Sequence, residues 1–164
     1  MDANACRAQL ARMLSDETNL LGVLAQQLQR EHELLVANDV ESLEQAADAR
    51  QNSIATLARL DEERRGLCRM LGYSADQPGL SALLRWCDPT ASLTSVHAVV
   101  AQQAQTCREQ NDRNGALVNA RLNRLSGMLD MLNGSNGAAR TYEARGAHRP
   151  AATPQAGRMV SISA

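Results

Sequence analysis

The chain has 164 residues with no Phe, one Trp and two Tyr, so any core must be built from Leu, Ala, Val and Met. All 17 basic residues are Arg, which excludes a P-loop lysine, a Schiff base and a lysine general base. The net charge of −1 argues against phosphate-backbone binding as the main activity, so no nucleic-acid partner is expected. Ala, Leu, Gln, Glu and Arg dominate while strand formers are scarce, and this composition predicts an all-α fold.

The first predicted element spans about residues 3–37. Leu14, Leu21, Leu28 and Leu35 recur every seven residues, with Leu10 and Leu24 at the alternate seam position, and such heptads make a long helix that packs lengthwise. Glu17 and Glu31 interrupt the seam, which favours an intramolecular hairpin or small bundle over an isolated two-stranded coil. Asn38-Asp39 breaks the pattern, and Asp39 reads as the N-cap of a second helix over about 39–71. Its apolar stripe is Val40, Leu43, Ala47, Ile54, Leu57, Leu60, Leu67 and Leu71, interrupted by Arg50 and Arg64. So short a connection makes the two helices antiparallel and in contact, each roughly 50 Å long.

From Gly72 to Pro89 the periodicity lapses, apart from an apolar piece at about 79–86 that predicts a short helix plugging the hairpin, with Trp86 as its anchor. A third long helix, about 91–133, is capped by Thr90 or Ser92, and Leu93, Val96, Val100, Ala104, Cys107, Asn111 and Val118 mark its seam. Asn111 reads as a buried amide that sets register, and Gly115 as a close backbone approach or a bend. Asn133-Gly134 is a C-cap signal. Residues 1–133 are thus read as one bundle domain with coiled-coil-like packing, and 134–164 as a flexible, disordered tail rich in Gly and Pro, with four arginines against one glutamate.

Nothing in the chain assembles a catalytic or cofactor site. His32, His97 and His148 are scattered, and the residues three before His32 and His97 are Gln29 and Thr94, so no Glu-x-x-His pair exists for a di-metal bundle. Cys6, Cys68, Cys87 and Cys107 form no C-x-x-C pair, and Asp61-Glu62-Glu63 is neutralised by Arg64 and Arg65 on the same helix. No enzyme, metal or cofactor is expected. No secretory h-region or bilayer-spanning run is present, which predicts a cytoplasmic chain with reduced thiols and no membrane insertion.

Surplus apolar surface is the chain's most informative feature. Val118, Leu122, Leu125, Leu129 and Leu132 make one seam, while Leu117, Met128 and Met131 fall on a flank about 80° to 140° to one side. The apolar arc therefore covers about half the helix, where one packing seam needs a narrow stripe. An amphipathic helix from another protein, docked in a helix-in-groove mode, is the partner this surface predicts.

The chain resembles the FlgN family of flagellar type III export chaperones. The likeness runs over nearly the whole length: a leading Leu-rich helix, the turn from Glu33 to Asp39, Arg50, the run Asn111-x-x-Asn114-Gly115 with its following apolar stretch, then Tyr142 to Gly146. Family members tend to carry a Tyr-Gly-x-x-Gly tail motif, whose first Gly is Glu143 here. The resemblance implies a helical cytoplasmic protein that binds the two hook-filament junction proteins through its C-terminal part, prevents their premature assembly and escorts them to the export apparatus. The partner-binding residues expected are Leu117, Val118, Leu122, Leu125, Met128, Leu129, Met131, Leu132 and Tyr142. A coiled-coil adaptor that self-associates into a homo-oligomer through the same face is the alternative.

Overall fold

A computed structural model of the chain describes residues 1–137. Four helices account for nearly all of them, and no strand occurs among the described residues: α1 is Ala3–Ala37, α2 Val40–Met70, α3 Gln77–Cys87 and α4 Ser92–Gly137. Two units divide the chain, Met1–Arg121 and Leu122–Ala164. The all-α expectation holds.

The first unit is a hairpin of α1 and α2 with α3 and the leading part of α4 packed on it. Its turn needs only two residues because each serves twice. Asn38 adopts the left-handed conformation at φ 59°, the N–H of Asn38 reaches Leu35 O and that of Asp39 reaches Leu34 O, closing α1 in a Schellman motif. Asp39 then caps α2, its carboxylate accepting from Ser42 N at 3.1 Å. At the far end of α2, Gly72 at φ 80° closes a second Schellman motif, with Tyr73 N on Cys68 O.

α3 plugs the open end of the hairpin. Asp76 caps it by accepting from Gly79 N at 2.9 Å. A Cβ on Gly79 would stand 1.9 Å from Ser74 O, so only glycine fits there; Gly115 meets nothing within 4 Å, and the close approach expected of it is absent. Leu80, Leu83, Leu84 and Cys87 recur at i, i+3, i+4 and i+7 and are buried, Leu83 completely. Trp86 lies beside that stripe and is 42% exposed, so Leu83 takes the anchoring role expected of Trp86. These side chains join Cys6, Leu10, Leu14, Leu67, Cys68, Leu93, Val100 and Cys107 in one core, where each fully buried aliphatic side chain contributes about 1.5–3 kcal/mol. All four cysteines are free and buried, as small hydrophobes.

The expected stripe of α2 holds at Leu67, which is buried, and at Leu57 and Leu71, which pack against the core, but Val40 is 71% exposed and Ile54 lies at the surface. Val96 of α4 is also exposed, at the edge of a seam whose buried members are Leu93, Val100 and Cys107. α4 continues through Asn133-Gly134 to Gly137, past its expected end. The expectations for the tail beyond it concern residues that lie outside those described.

The corner between α3 and α4 is held by a residue the sequence did not single out. Asp88 accepts from Leu93 N at 2.6 Å, from Thr90 Oγ1 at 2.7 Å and from Arg7 Nε at 3.1 Å, and its side chain is fully covered. It caps α4 in place of Thr90 or Ser92, and the tie to Arg7 fastens the start of α1 to the same corner. The Leu93 amide, then the Thr90 hydroxyl, hold its carboxyl at about 2, below the ordinary 3.8. Because the folded value is depressed, the stability it contributes is complete above 3.8 and fades as pH falls towards 2. Asp88→Asn should lower the urea midpoint at pH 7 and remove part of the fall in that midpoint between pH 4 and pH 2, read by circular dichroism.

Candidate partner-binding face and the polar layers of the bundle

Two buried polar layers place α4 on the hairpin. In the first, Arg64 of α2 donates to Glu17 of α1, with Nη1 3.1 Å from both carboxylate oxygens. Burial raises the Glu17 carboxyl above its ordinary value against the opposing pull of Arg64, and burial followed by the Arg64 charge lowers the imidazole of His97 on α4. In the second, Arg50 Nε stands 3.4 Å from Glu31 Oε2, and Arg50 Nη1 donates to Asn111 Oδ1 at 2.7 Å. Asn114, only 4% exposed, donates through Nδ2 to Leu28 O at 2.8 Å and turns Oδ1 to His32 Nδ1 at 3.0 Å. That amide orientation requires a proton on His32 Nδ1.

Glu17 and Glu31, Arg64 and Arg50, and His97 and Asn111 are each separated by 14 residues. Two heptads on every helix, roughly 21 Å, therefore part the layers. The order of partners makes α4 parallel to α1 and antiparallel to α2. What reads in the sequence as separate interruptions of the α1 and α2 seams is one matched set, which Asn111 of α4 joins. Asn114 takes the buried position expected of Asn111, which is half-buried and serves Arg50.

Arg121, the last residue of the first unit, donates to Asn38 in the hairpin turn at 3.1 Å. Leu117 and Val118, just before it, are half-buried in that unit. In the second unit Leu122, Leu125, Met128, Leu129, Met131 and Leu132 are all exposed, Met128 at 56% and Met131 at 77%. The expected division into a packed seam and an open flank ends at Val118, for Leu122, Leu125, Leu129 and Leu132 are as open as the two methionines. Tyr142 lies outside the described residues.

No group of three or more His, Cys, Asp or Glu side chains among the described residues is placed to hold a metal ion, and no helix among them is long and apolar enough to cross a membrane. A groove of about 260 Å³ between α1 and α2 is lined by Val23, Gln26, Gln27, Arg30, Ala46 and Ala49, a set without a nucleophile or general base. The exposed face on α4 is thus the feature to explain.

The chain matches the FlgN protein family over residues 1–150. It belongs to that family. FlgN is a family of chaperones for flagellum assembly and type III export, in accord with the resemblance carried by Asn111, Asn114 and Gly115. No curated protein and no solved structure matches the chain. The FlgN match covers the hairpin, both polar layers and the exposed face.

Proposed function

We propose that this FlgN-family chain is a cytoplasmic export chaperone that binds the hook-filament junction proteins, prevents their premature assembly and delivers them to the flagellar type III secretion apparatus. The exposed apolar face on α4 carries the reading. Leu122, Leu125, Met128, Leu129 and Met131 offer a stripe three turns long on which an amphipathic helix from the cargo's C-terminal end can lie. Methionine side chains repack at little cost, which suits one face to two related clients. Binding covers the cargo's assembly surface without a chemical step, so neither nucleotide nor metal enters the mechanism.

Size-exclusion chromatography with light scattering, with and without a junction-protein C-terminal peptide, tests this directly. A defined hetero-complex is expected. A protein that self-associates and ignores the peptide would instead be the adaptor.

A further inference from the structure

Within residues 122–132 the arc that carries the exposed apolar side chains holds one charge, and it is positive, with Arg121 on the same arc one residue before it. At roughly 100° per residue, Arg124 falls between Met131 and Met128 on the flank, whereas Asp130 falls on the opposite side of the helix. Arg124 is exposed, and its helix neighbours at i−4, i−3, i+3 and i+4 are Ala120, Arg121, Gly127 and Met128. None is acidic, and Arg121 is a like charge in a spacing that weakens a helix. Most arginines of the hairpin, Arg12 excepted, stand beside a carboxylate, among them Arg7 with Asp88, Arg50 with Glu31, Arg64 with Glu17 and Arg69 with Glu62. No carboxylate among the described residues pairs with Arg124.

We propose that the occupant of this face is an amphipathic helix of about three turns with a carboxylate on one edge of its apolar stripe, and that Arg124 selects it. This rests on the reading of the face as the cargo surface. The apolar stripe supplies most of the affinity, while the guanidinium, a planar fork matched to a carboxylate, sets which edge of the incoming helix lies beside Met128 and Met131. A second copy of the face fits less well, because it brings the same positive flank and no carboxylate on the arc.

Three helical peptides of about 18 residues, alike in a Leu stripe at i, i+3, i+4 and i+7 but bearing Glu, Gln or Arg along one edge, test the proposal by fluorescence anisotropy with the full chain. The Glu peptide should bind about two- to five-fold more tightly than the Gln peptide, as expected of an exposed ion pair, and the Arg peptide more weakly than either. Arg124→Glu should invert the order, Arg124→Lys should retain it, and high salt should compress it. Equal affinities for all three peptides, with Met128→Asp still abolishing binding, would overturn the carboxylate selection and leave the face intact. No binding to the unaltered chain, or binding indifferent to Met128→Asp, would overturn both.

Discussion

Met128→Asp combined with Met131→Asp is expected to weaken cargo binding by at least about 100-fold while leaving helix content and the urea midpoint of the chain unchanged. Both side chains are more than half exposed in the free protein, so their replacement removes little intrachain burial, and such surface changes alter stability by about 0.5 kcal/mol or less. In the complex the same positions would place two carboxylates against apolar cargo side chains with no partner, and that desolvation is the source of the large effect. Val99→Asp is the control, for Val99 is 55% exposed on the same helix but outside the proposed face, and this variant should bind normally. Isothermal titration with a junction-protein C-terminal peptide reads the outcome. Native affinity in the double variant, with helicity retained by circular dichroism, would place the cargo elsewhere.

The second large effect is expected in the first polar layer. Arg64→Ala removes the cation that faces Glu17, whose side chain is 8% exposed, and leaves a carboxylate buried without its charge partner. A loss of about 3–5 kcal/mol is expected at pH 7. Replacing both partners, Glu17→Leu with Arg64→Met, should be neutral or stabilising by about 1–4 kcal/mol, since the desolvation cost of the pair is removed with the pair. Because the folded Glu17 carboxyl sits above its ordinary value, its protonation relieves the strained site, and the deficit of Arg64→Ala should shrink as pH falls through that raised value. Urea unfolding of the single and double variants at pH 7 and pH 5 separates these outcomes. Equal destabilisation in the single and double variants would mean that the layer holds the bundle by packing and not by charge.

Helix identity was legible because it depends on near neighbours. The limits of α1, the cap at Asp39 and the existence of α3 follow from seven-residue spacing and from the turn chemistry of Asn38, Asp39, Gly72 and Pro78, all of which act within a few residues of themselves. The apolar surplus of 117–132 was equally legible, as a count of large side chains around one helix. Trp86 shows the limit of this kind of reading: size alone suggested an anchor, but its angular place beside the Leu80–Leu83–Leu84–Cys87 stripe left it exposed.

For this chain the amino-acid order alone determined that it is helical, where the hairpin turns and that one helix end carries more apolar surface than a single seam uses. Tertiary structure decided which polar residues meet and where the seam of α4 closes. Glu17 and Arg64, 47 positions apart, and His32 and Asn114, 82 apart, become neighbours only once the antiparallel register of the hairpin and the parallel register of α4 are set. Periodicity specifies the face a residue occupies but not the level at which its partner stands on another helix, so seams that read as interrupted turned out to be matched. Asp88 likewise caps α4 only through a chain reversal at Ala91, with φ 56°, that has no periodic signature. Leu122, Leu125 and Leu129 have the spacing of a packed seam, and only the fold revealed their exposure.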